Sequence, residues 1–395
     1  MLTRRNLIAA GLGAAALDPS VLARPATRPA ADLAAGPAAR SGAGPRTPRD
    51  VTWQTIGPED TEGRGWRDTT LPFDRLPARA ELLVPPAVWR LSRHSSGISF
   101  EFEGDARALH VRYKLTSGTL AMPHMPATGV SGIDLYGIDL NGADSAEGAA
   151  PRWRWASVYR PNAQLCEGPL IENIDEGHRR WRAYLPLYNG VESLELGAPE
   201  GAALKLIAPR RAQPIVFYGT SILHGACASR PGMAWPSIVG RRLARPTINL
   251  GFSGSGKMEP ALADLLAELD AAAFVIDCAP NMSPEMITER AAALVERIRA
   301  ARPSAPIVLV EDRRLGYGWV RASARQRNAG NAEALRATHR ALLEHGVTGL
   351  AYVEAERLLG ADFEEAMTDG SHPNDLGMTR YADALTPVLA SLLGA

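Results

Sequence analysis

The chain has 395 residues, 46% of them hydrophobic, with 43 basic side chains against 43 acidic ones. That length suits two domains of ordinary size. The balanced charge gives no footprint for nucleic acid or an anionic membrane as partner, which leaves a small neutral or polar substrate as the default.

In chain order, Thr3-Arg4-Arg5-Asn6-Leu7-Ile8 precedes an Ala/Gly-rich apolar stretch that runs to Leu17, the plan of a basic n-region followed by an h-region. The paired arginines predict a twin-arginine-type signal over residues 1–26, cleaved near Val21-Leu22-Ala23 or Arg24-Pro25-Ala26, and therefore an exported, periplasmic or secreted protein. The apolar stretch is too short for a bilayer and no other run approaches about 18 apolar residues, so no membrane span is expected. Residues 27–50 are Pro, Ala, Gly and Arg without an apolar period, a composition that reads as a disordered linker.

Between 51 and 208 short segments alternate apolar and polar residues with period two: Ile98, Phe100, Phe102; Leu109, Val111, Tyr113, Leu115; Ile133, Leu135, then Ile138, Leu140; Trp153, Trp155, Val158; Leu194, Leu196. Gly, Pro, Asn and Asp clusters interrupt them, which predicts antiparallel strands in an all-β sandwich acting as an accessory domain.

From 209 to 395 the texture changes. Apolar runs at Ile215 to Tyr218, Thr247 to Leu250, Phe274 to Asp277, Ile307 to Val310 and Leu350 to Val353 alternate with helical periodicities over 233–244, 260–270, 285–301, 323–345 and 376–393. Continuous apolar strands alternating with helices predict an α/β domain with a parallel, doubly wound sheet buried on both faces. Ligands sit at the C-terminal ends of the strands in such sheets. Four segments fall there or beside the last helix: Gly219-Thr220-Ser221, Gly251-Phe252-Ser253-Gly254-Ser255-Gly256, Asp277-Cys278-Ala279-Pro280-Asn281, and Asp369-Gly370-Ser371-His372-Pro373-Asn374-Asp375.

A hydroxyl needs a base to become a nucleophile, and an imidazole needs a carboxylate to hold its tautomer. Ser221, His372 and Asp369 are the candidates, with Asp369 three residues before the histidine it orients. The amides of Ser221 and Gly254 and the side chain of Asn281 are candidate donors to an oxyanion, and glycine at 254 is expected where a Cβ would intrude. Activity is expected to fall in acid as His372 takes up a proton.

These segments resemble, in order, the blocks of the SGNH, or GDSL-type, hydrolase superfamily, over about residues 211–395. Position for position the resemblance implies Ser221 as nucleophile, Gly254 and Asn281 as the block-two glycine and block-three asparagine, and Asp369 with His372 as the final block. It implies a flavodoxin-like three-layer αβα fold without cofactor or metal. Thr220 stands where many members carry Asp or Asn, and Asn281 sits in Asp-Cys-Ala-Pro-Asn-Met rather than the usual Gly-x-Asn-Asp. Together with Gly132-Ile133-Asp134-Leu135-Tyr136, this setting resembles the branch that pairs an N-terminal Gly-x-Asp-Leu-Tyr β domain, jelly-roll-like, with the hydrolase domain. In that branch the β domain is expected to shape one side of the cleft, with contact of Asp134 or Tyr136 to substrate left open.

Plainer readings stand beside these. Ser221 suits a helix N-cap, Asn281 a cap for the helix near Pro284, and Asp369 and His372 a turn. His224 reads as structural, and His94, His110, His124, His178, His339 and His345 as surface or strand residues. Cys166, Cys227 and Cys278 lack metal-type spacing and read as buried hydrophobes. Asp375 beside His372 lacks a third ligand for a metal. Gly251 to Lys257 nearly matches a P-loop but fails at Met258, which cannot serve magnesium as Ser or Thr does. Trp153, Trp155 and Trp181 suggest a sugar platform, and Arg313 with Arg314 either a substrate contact or a solvated pair. The sequence thus reads as an exported SGNH-type serine esterase that removes small acyl groups, acetyl above all, from a carbohydrate or another acylated small molecule. A lipid or thioester acyl hydrolase, or a glycan-binding protein with little catalysis, are the alternatives. Oligomeric state is not indicated.

Overall fold

The computed structural model describes residues 50–140 and 152–394. The predicted signal over 1–26 and the linker up to residue 49 lie outside the described residues.

Among the described residues ten strands build the first half: β1 Val51–Thr55, β2 Thr61–Glu62, β3 Ser99–Gly104, β4 Leu109–Leu115, β5 Asp134–Asp139, β6 Arg154–Val158, β7 Leu165–Ile171, β8 Arg179–Tyr184, β9 Val191–Pro199 and β10 Leu204–Ile207. They form two antiparallel sheets, one in the order β1-β9-β4-β7, the other β10-β3-β8-β5-β6 with β2 beside β3. Leu109, Val111, Tyr113, Leu194 and Leu196 from one sheet share a core with Phe100, Phe102, Leu135, Trp181 and Ala183 from the other. Alternating side chains on facing pleats give the two-layer sandwich that the period-two pattern predicts.

Strand β8 escapes that pattern. Its sequence Arg-Arg-Trp-Arg-Ala-Tyr looks solvated, yet it lies between β3 and β5. Arg180 Nε and Arg182 Nε donate to Glu101 on β3 at 2.6 and 2.7 Å, and Trp153 covers the Arg182 guanidinium with its ring centroid at 4.8 Å. A buried Arg-carboxylate pair supplies the neutralisation that apolar residues make unnecessary elsewhere.

The second half holds a five-stranded parallel sheet of β11 Ile215–Gly219, β12 Thr247–Gly251, β13 Ala273–Asp277, β14 Ile307–Val310 and β15 Leu350–Val353, in the order β12-β11-β13-β14-β15. This is the 2-1-3-4-5 order of doubly wound folds, with its switch point between the first and third strands. Val216, Tyr218, Phe274, Ile276, Ile307 and Leu309 pack with the helices Pro260–Glu268, Pro284–Ala301 and Ala322–Glu344 on one face. Ile215, Phe217, Val275, Val308 and Val310 pack with Trp235–Arg242 and Asp375–Leu393 on the other. Alternate residues of each strand therefore face opposite helical layers, as three-layer packing demands. Among the described residues no helix is long and apolar enough to cross a membrane.

The halves are tied at several places, three of which bear on the site. Trp66, Leu76, Val84, Val88 and Trp89 join the core on the first face of the parallel sheet, and the Trp66 indole donates to Glu268 at 2.8 Å. Arg75 is fully buried and donates to the carbonyls of Asn249 at 3.0 Å, Gly251 at 2.8 Å and His94 at 2.8 Å. With carbonyls as its partners, burial lowers its pKa to about 9, and it fixes the end of β12 from which the next loop starts. The third tie is Asp134, which accepts from Gly232 N–H at 2.7 Å, Arg230 Nη1 at 3.1 Å and Trp155 Nε1 at 2.9 Å. Tyr136 packs against the guanidinium of Arg241 at 4.0 Å. The Gly-x-Asp-Leu-Tyr residues thus clamp the loop that follows the serine segment.

Candidate active site

Strand β11 ends at Gly219, and Ser221 opens the short helix Ser221–His224. The cap is Thr220, whose side chain accepts from Ile222 N–H, so the Ser221 hydroxyl is not used for capping. The other segment folds into a tight turn. Asp369 Oδ1 accepts the backbone N–H groups of Ser371 at 2.9 Å and His372 at 2.7 Å, and Gly370 at φ +76° supplies the left-handed residue the turn needs.

That turn aims His372 at the serine. His372 Nδ1 lies 2.7 Å from Asp369 Oδ2 and Nε2 lies 2.9 Å from Ser221 Oγ. With Nδ1–H donating to the carboxylate, Nε2 is left to accept the hydroxyl proton; the hydrogen-bond network assigns this tautomer. Burial pushes the Asp369 carboxyl up, but the His372 side chain and the two backbone N–H groups outweigh it and hold the group below the usual carboxylate range. Asp369 thus stays ionised while the imidazole cycles.

Ser221, Gly254, Asn281 and His372 line one hollow of about 480 Å³, together with Ile222, Ser253, Lys257, Pro280, Arg313, Arg327 and Ser371. The Ser221 amide belongs to the first helical turn, whose N–H groups lack intrahelical acceptors. Among the described residues no acceptor meets the Gly254 N–H. Asn281 Nδ2 donates to the Ser255 carbonyl, which fixes the amide and leaves a second N–H for the hollow. The cap of the helix Pro284–Ala301 is Ser283, not Asn281.

No neighbour in the fold itself demands glycine at 254. A Cβ there meets nothing within 4 Å, and the residue is set apart by φ +68°. The close approach occurs two residues later, where a Cβ on Gly256 would lie 2.0 Å from the Gly219 carbonyl. This contact presses the loop onto β11. The helix that follows presents the buried Glu259 at its start, already accepting Lys257 N–H at 2.8 Å, so a carboxylate occupies the end where a P-loop would receive phosphate.

Other expectations also change. His124 is not a surface or strand residue: it is half-buried in a loop of the β half, its ring centroid 5.8 Å from that of His372. His94 is held among buried rings, tilted against Tyr188 and His224, and burial with the Arg75 charge lowers its pKa to about 3. His224 is structural, with Nε2 2.7 Å from the Leu187 carbonyl and its ring stacked on Tyr188 at 4.2 Å. Of the three tryptophans suggested as a sugar platform, Trp153 covers Arg182 and Trp181 lies in the sandwich core, while Trp155 bonds Asp134 and stays half-exposed. Arg313 and Arg314 are not a solvated pair. Arg313 is buried, paired with Asp312, and donates to the Ser371 carbonyl at 2.9 Å and hydroxyl at 2.6 Å, bracing the histidine turn, while Arg314 stacks on Phe363 at 4.1 Å. Asp375 accepts from Ser229 N and Oγ at 2.9 and 2.5 Å. All three cysteines are free and buried.

Sequence reading placed Ser253 in a strand-end segment without giving it a role, and did not single out Arg327, which carries no local signal because it arrives on the helix Ala322–Glu344.

Behind the serine, Asp277 at the end of β13 is buried with no hydrogen-bond partner for either oxygen among the described residues. Burial raises its pKa well above the carboxylate range, with Arg313 opposing and Asp312 adding to the rise. Folding therefore takes up a proton above the unfolded-chain value of about 3.9, and native stability contributed here declines as pH climbs from there toward the folded value. Asp277→Asn, a neutral isostere, is expected to raise the melting temperature relative to wild type by more at pH 8 than at pH 5. Thermal melts giving an equal or reversed gap would contradict a neutral buried acid.

A model of the GDSL-like lipase/acylhydrolase family matches residues 212–390, and one described as the N-terminus of SGNH-hydrolase-type esterases, the GxDLY domain, matches residues 51–204. A GDSL-like lipase from Bacteroides ovatus superposes with a TM-score of 0.79 at 31% identity, over 87% of this chain and 98% of the other. A salicylyl acyltransferase from a tetracycline biosynthetic pathway gives 0.67 at 20% identity over 88% and 98%. A family two carbohydrate esterase from Cellvibrio japonicus gives 0.56 at 13% over 87% and 99%. No curated protein matches the chain. The chain belongs to the GDSL-like lipase/acylhydrolase family, with a GxDLY N-terminal domain, and is a carboxylic ester hydrolase.

Proposed function

We propose that this protein is a serine esterase that removes short acyl groups, acetyl foremost, from a carbohydrate through an acyl-enzyme on Ser221. The observation that carries the reading is the unbroken relay from Asp369 through His372 to Ser221, at 2.7 and 2.9 Å. Ser221 Oγ attacks the ester carbonyl carbon as its proton passes to His372 Nε2. The resulting oxyanion takes hydrogen bonds from the Ser221 and Gly254 amides and the Asn281 side chain. Collapse expels the alcohol, which leaves with the proton from His372. Water then attacks the acyl-enzyme, giving its proton to the same nitrogen, and the acid departs as Ser221 is restored.

The lining supports a short acyl group and a polar alcohol. Lys257, Asn281, Arg327, Ser253 and Ser371 surround the serine, with Ile222 and Pro280 as the apolar members, so a long chain would find little apolar surface to bury. The carbohydrate reading draws on the fold shared with a family two carbohydrate esterase. The signal read over residues 1–26 accords with action on a glycan after export.

A chain-length series of nitrophenyl esters, run beside acetylated oligosaccharides, tests the reading. Acetate is expected to exceed octanoate in kcat/KM by at least about tenfold, and acetate is expected to be released from the oligosaccharides by wild type and not by Ser221→Ala. A preference for octanoate would overturn the acyl assignment, and inert oligosaccharides would overturn the carbohydrate one.

A further inference from the structure

Two side chains that the ester chemistry does not use stand against its histidine. One nitrogen each of His124 and His372 and the Sγ of Cys227 all lie within 4.8 Å of one another. The three come from distant parts of the chain. His124 belongs to a loop of the β half that is pinned by reciprocal Met122 and Met125 backbone hydrogen bonds of 3.0 Å. Cys227 follows the helix of the nucleophile, in a turn where the N–H groups of Gly225 and Ala226 donate to the Ser221 carbonyl at 3.1 and 2.8 Å. Cys227 is buried and takes φ +67°, a left-handed conformation disfavoured for a side-chain-bearing residue. The fold therefore holds a thiol where glycine would be easier.

Two imidazoles and a thiolate are the donors of a borderline-soft divalent cation, and a poor set for calcium or magnesium, which take oxygen. Tetrahedral zinc with bonds of roughly 2.0 Å to nitrogen and 2.3 Å to sulfur separates its ligand atoms by about 3.3–3.6 Å. The cluster thus needs to close by roughly 1 Å, within reach of side-chain rotation. Three protein ligands leave a fourth position of the tetrahedron for water.

We propose that His124, Cys227 and His372 form an inhibitory binding site for a cation such as Zn²⁺. As the metal–sulfur bond forms, the Cys227 thiol proton goes to solvent. His372 gives one ring nitrogen to the metal, and that nitrogen is lost either to Ser221 or to Asp369. Either mode breaks the relay, so occupation by metal stops ester hydrolysis without touching the nucleophile. The effect on activity rests on the reading of His372 as general base, whereas the binding itself does not.

Binding and inhibition are read separately. Co²⁺ added to the Ser221→Ala protein is expected to give a near-ultraviolet thiolate-to-metal charge-transfer band that disappears in Ser221→Ala/Cys227→Gly, glycine being suited to the positive φ. Zn²⁺ is expected to inhibit wild-type hydrolysis of nitrophenyl acetate reversibly, with recovery on adding a chelator. Cys227→Gly and His124→Gln are each expected to keep wild-type activity without metal and to need at least tenfold more Zn²⁺ for half-inhibition. Absence of the Co²⁺ band, or equal Zn²⁺ sensitivity in wild type and both variants, would overturn the proposal. Undiminished hydrolysis by Ser221→Ala would instead overturn the esterase mechanism, and the Co²⁺ band would still report the site.

Discussion

Ser221→Ala is expected to lower kcat on nitrophenyl acetate by 10³-fold or more, with the near-ultraviolet circular dichroism unchanged. The hydroxyl is not a cap and its loss strips no backbone partner, since Thr220 caps the helix. The fold should therefore be indifferent to the change while the chemistry is not. Because Ser221 and His372 act as one unit across 2.9 Å, adding His372→Ala to Ser221→Ala should reduce the rate little further, as residues of one relay are strongly non-additive. A double variant whose loss is the product of two large single losses would show that serine and histidine work apart, and the acyl-enzyme would have to be abandoned.

The second large effect is on stability. Asp134 is wholly buried and accepts from Arg230, Gly232 and Trp155. Asp134→Ala removes the carboxylate that neutralises Arg230 and leaves the buried Gly232 N–H without its acceptor. Breaking a buried pair by removing one partner costs about 3–5 kcal/mol, which for a chain of this size corresponds to a melting temperature lower by roughly 4–7 °C. Calorimetry on wild type, Asp134→Asn and Asp134→Ala should rank them in that order, because the amide keeps shape and one acceptor. A melt for Asp134→Ala within a degree of wild type would mean that the clamp contributes nothing, and that the Gly-x-Asp-Leu-Tyr residues do not hold the loop after the serine segment.

The parallel sheet was readable because its strands are uninterrupted apolar runs and its helices keep a 3.6-residue period. The segments 285–301 and 376–393 differ by one residue at the start from the observed helices Pro284–Ala301 and Asp375–Leu393. The Asp369 to His372 turn was readable for a similar reason, since carboxylate, glycine and imidazole act within four residues. What stayed hidden depends on contacts across the chain. Strand β8 looked polar because Glu101, about 80 positions away, neutralises its arginines. His124 reaches His372 across 248 positions with no carboxylate beside it in sequence to mark it. Arg75 resembles any surface arginine until β12 offers it two carbonyls. The glycines of the Gly251 to Gly256 loop were legible as glycines, but which one avoids a collision and which one only turns the backbone required the neighbouring strand.

The aromatic and aliphatic cover supplied by Trp66, Leu76, Val84, Val88 and Trp89 has a practical outcome for anyone wishing to dissect the enzyme. A polypeptide begun at the junction near residue 209 would carry every member of the proton relay and yet leave the flank of Leu262, Leu266 and Leu269 without its blanket, and the ends of β12 without the guanidinium that gathers them. Such a fragment is expected to self-associate on that uncovered flank, so the amino-terminal portion acts as a wall of the catalytic body and not as a detachable appendage.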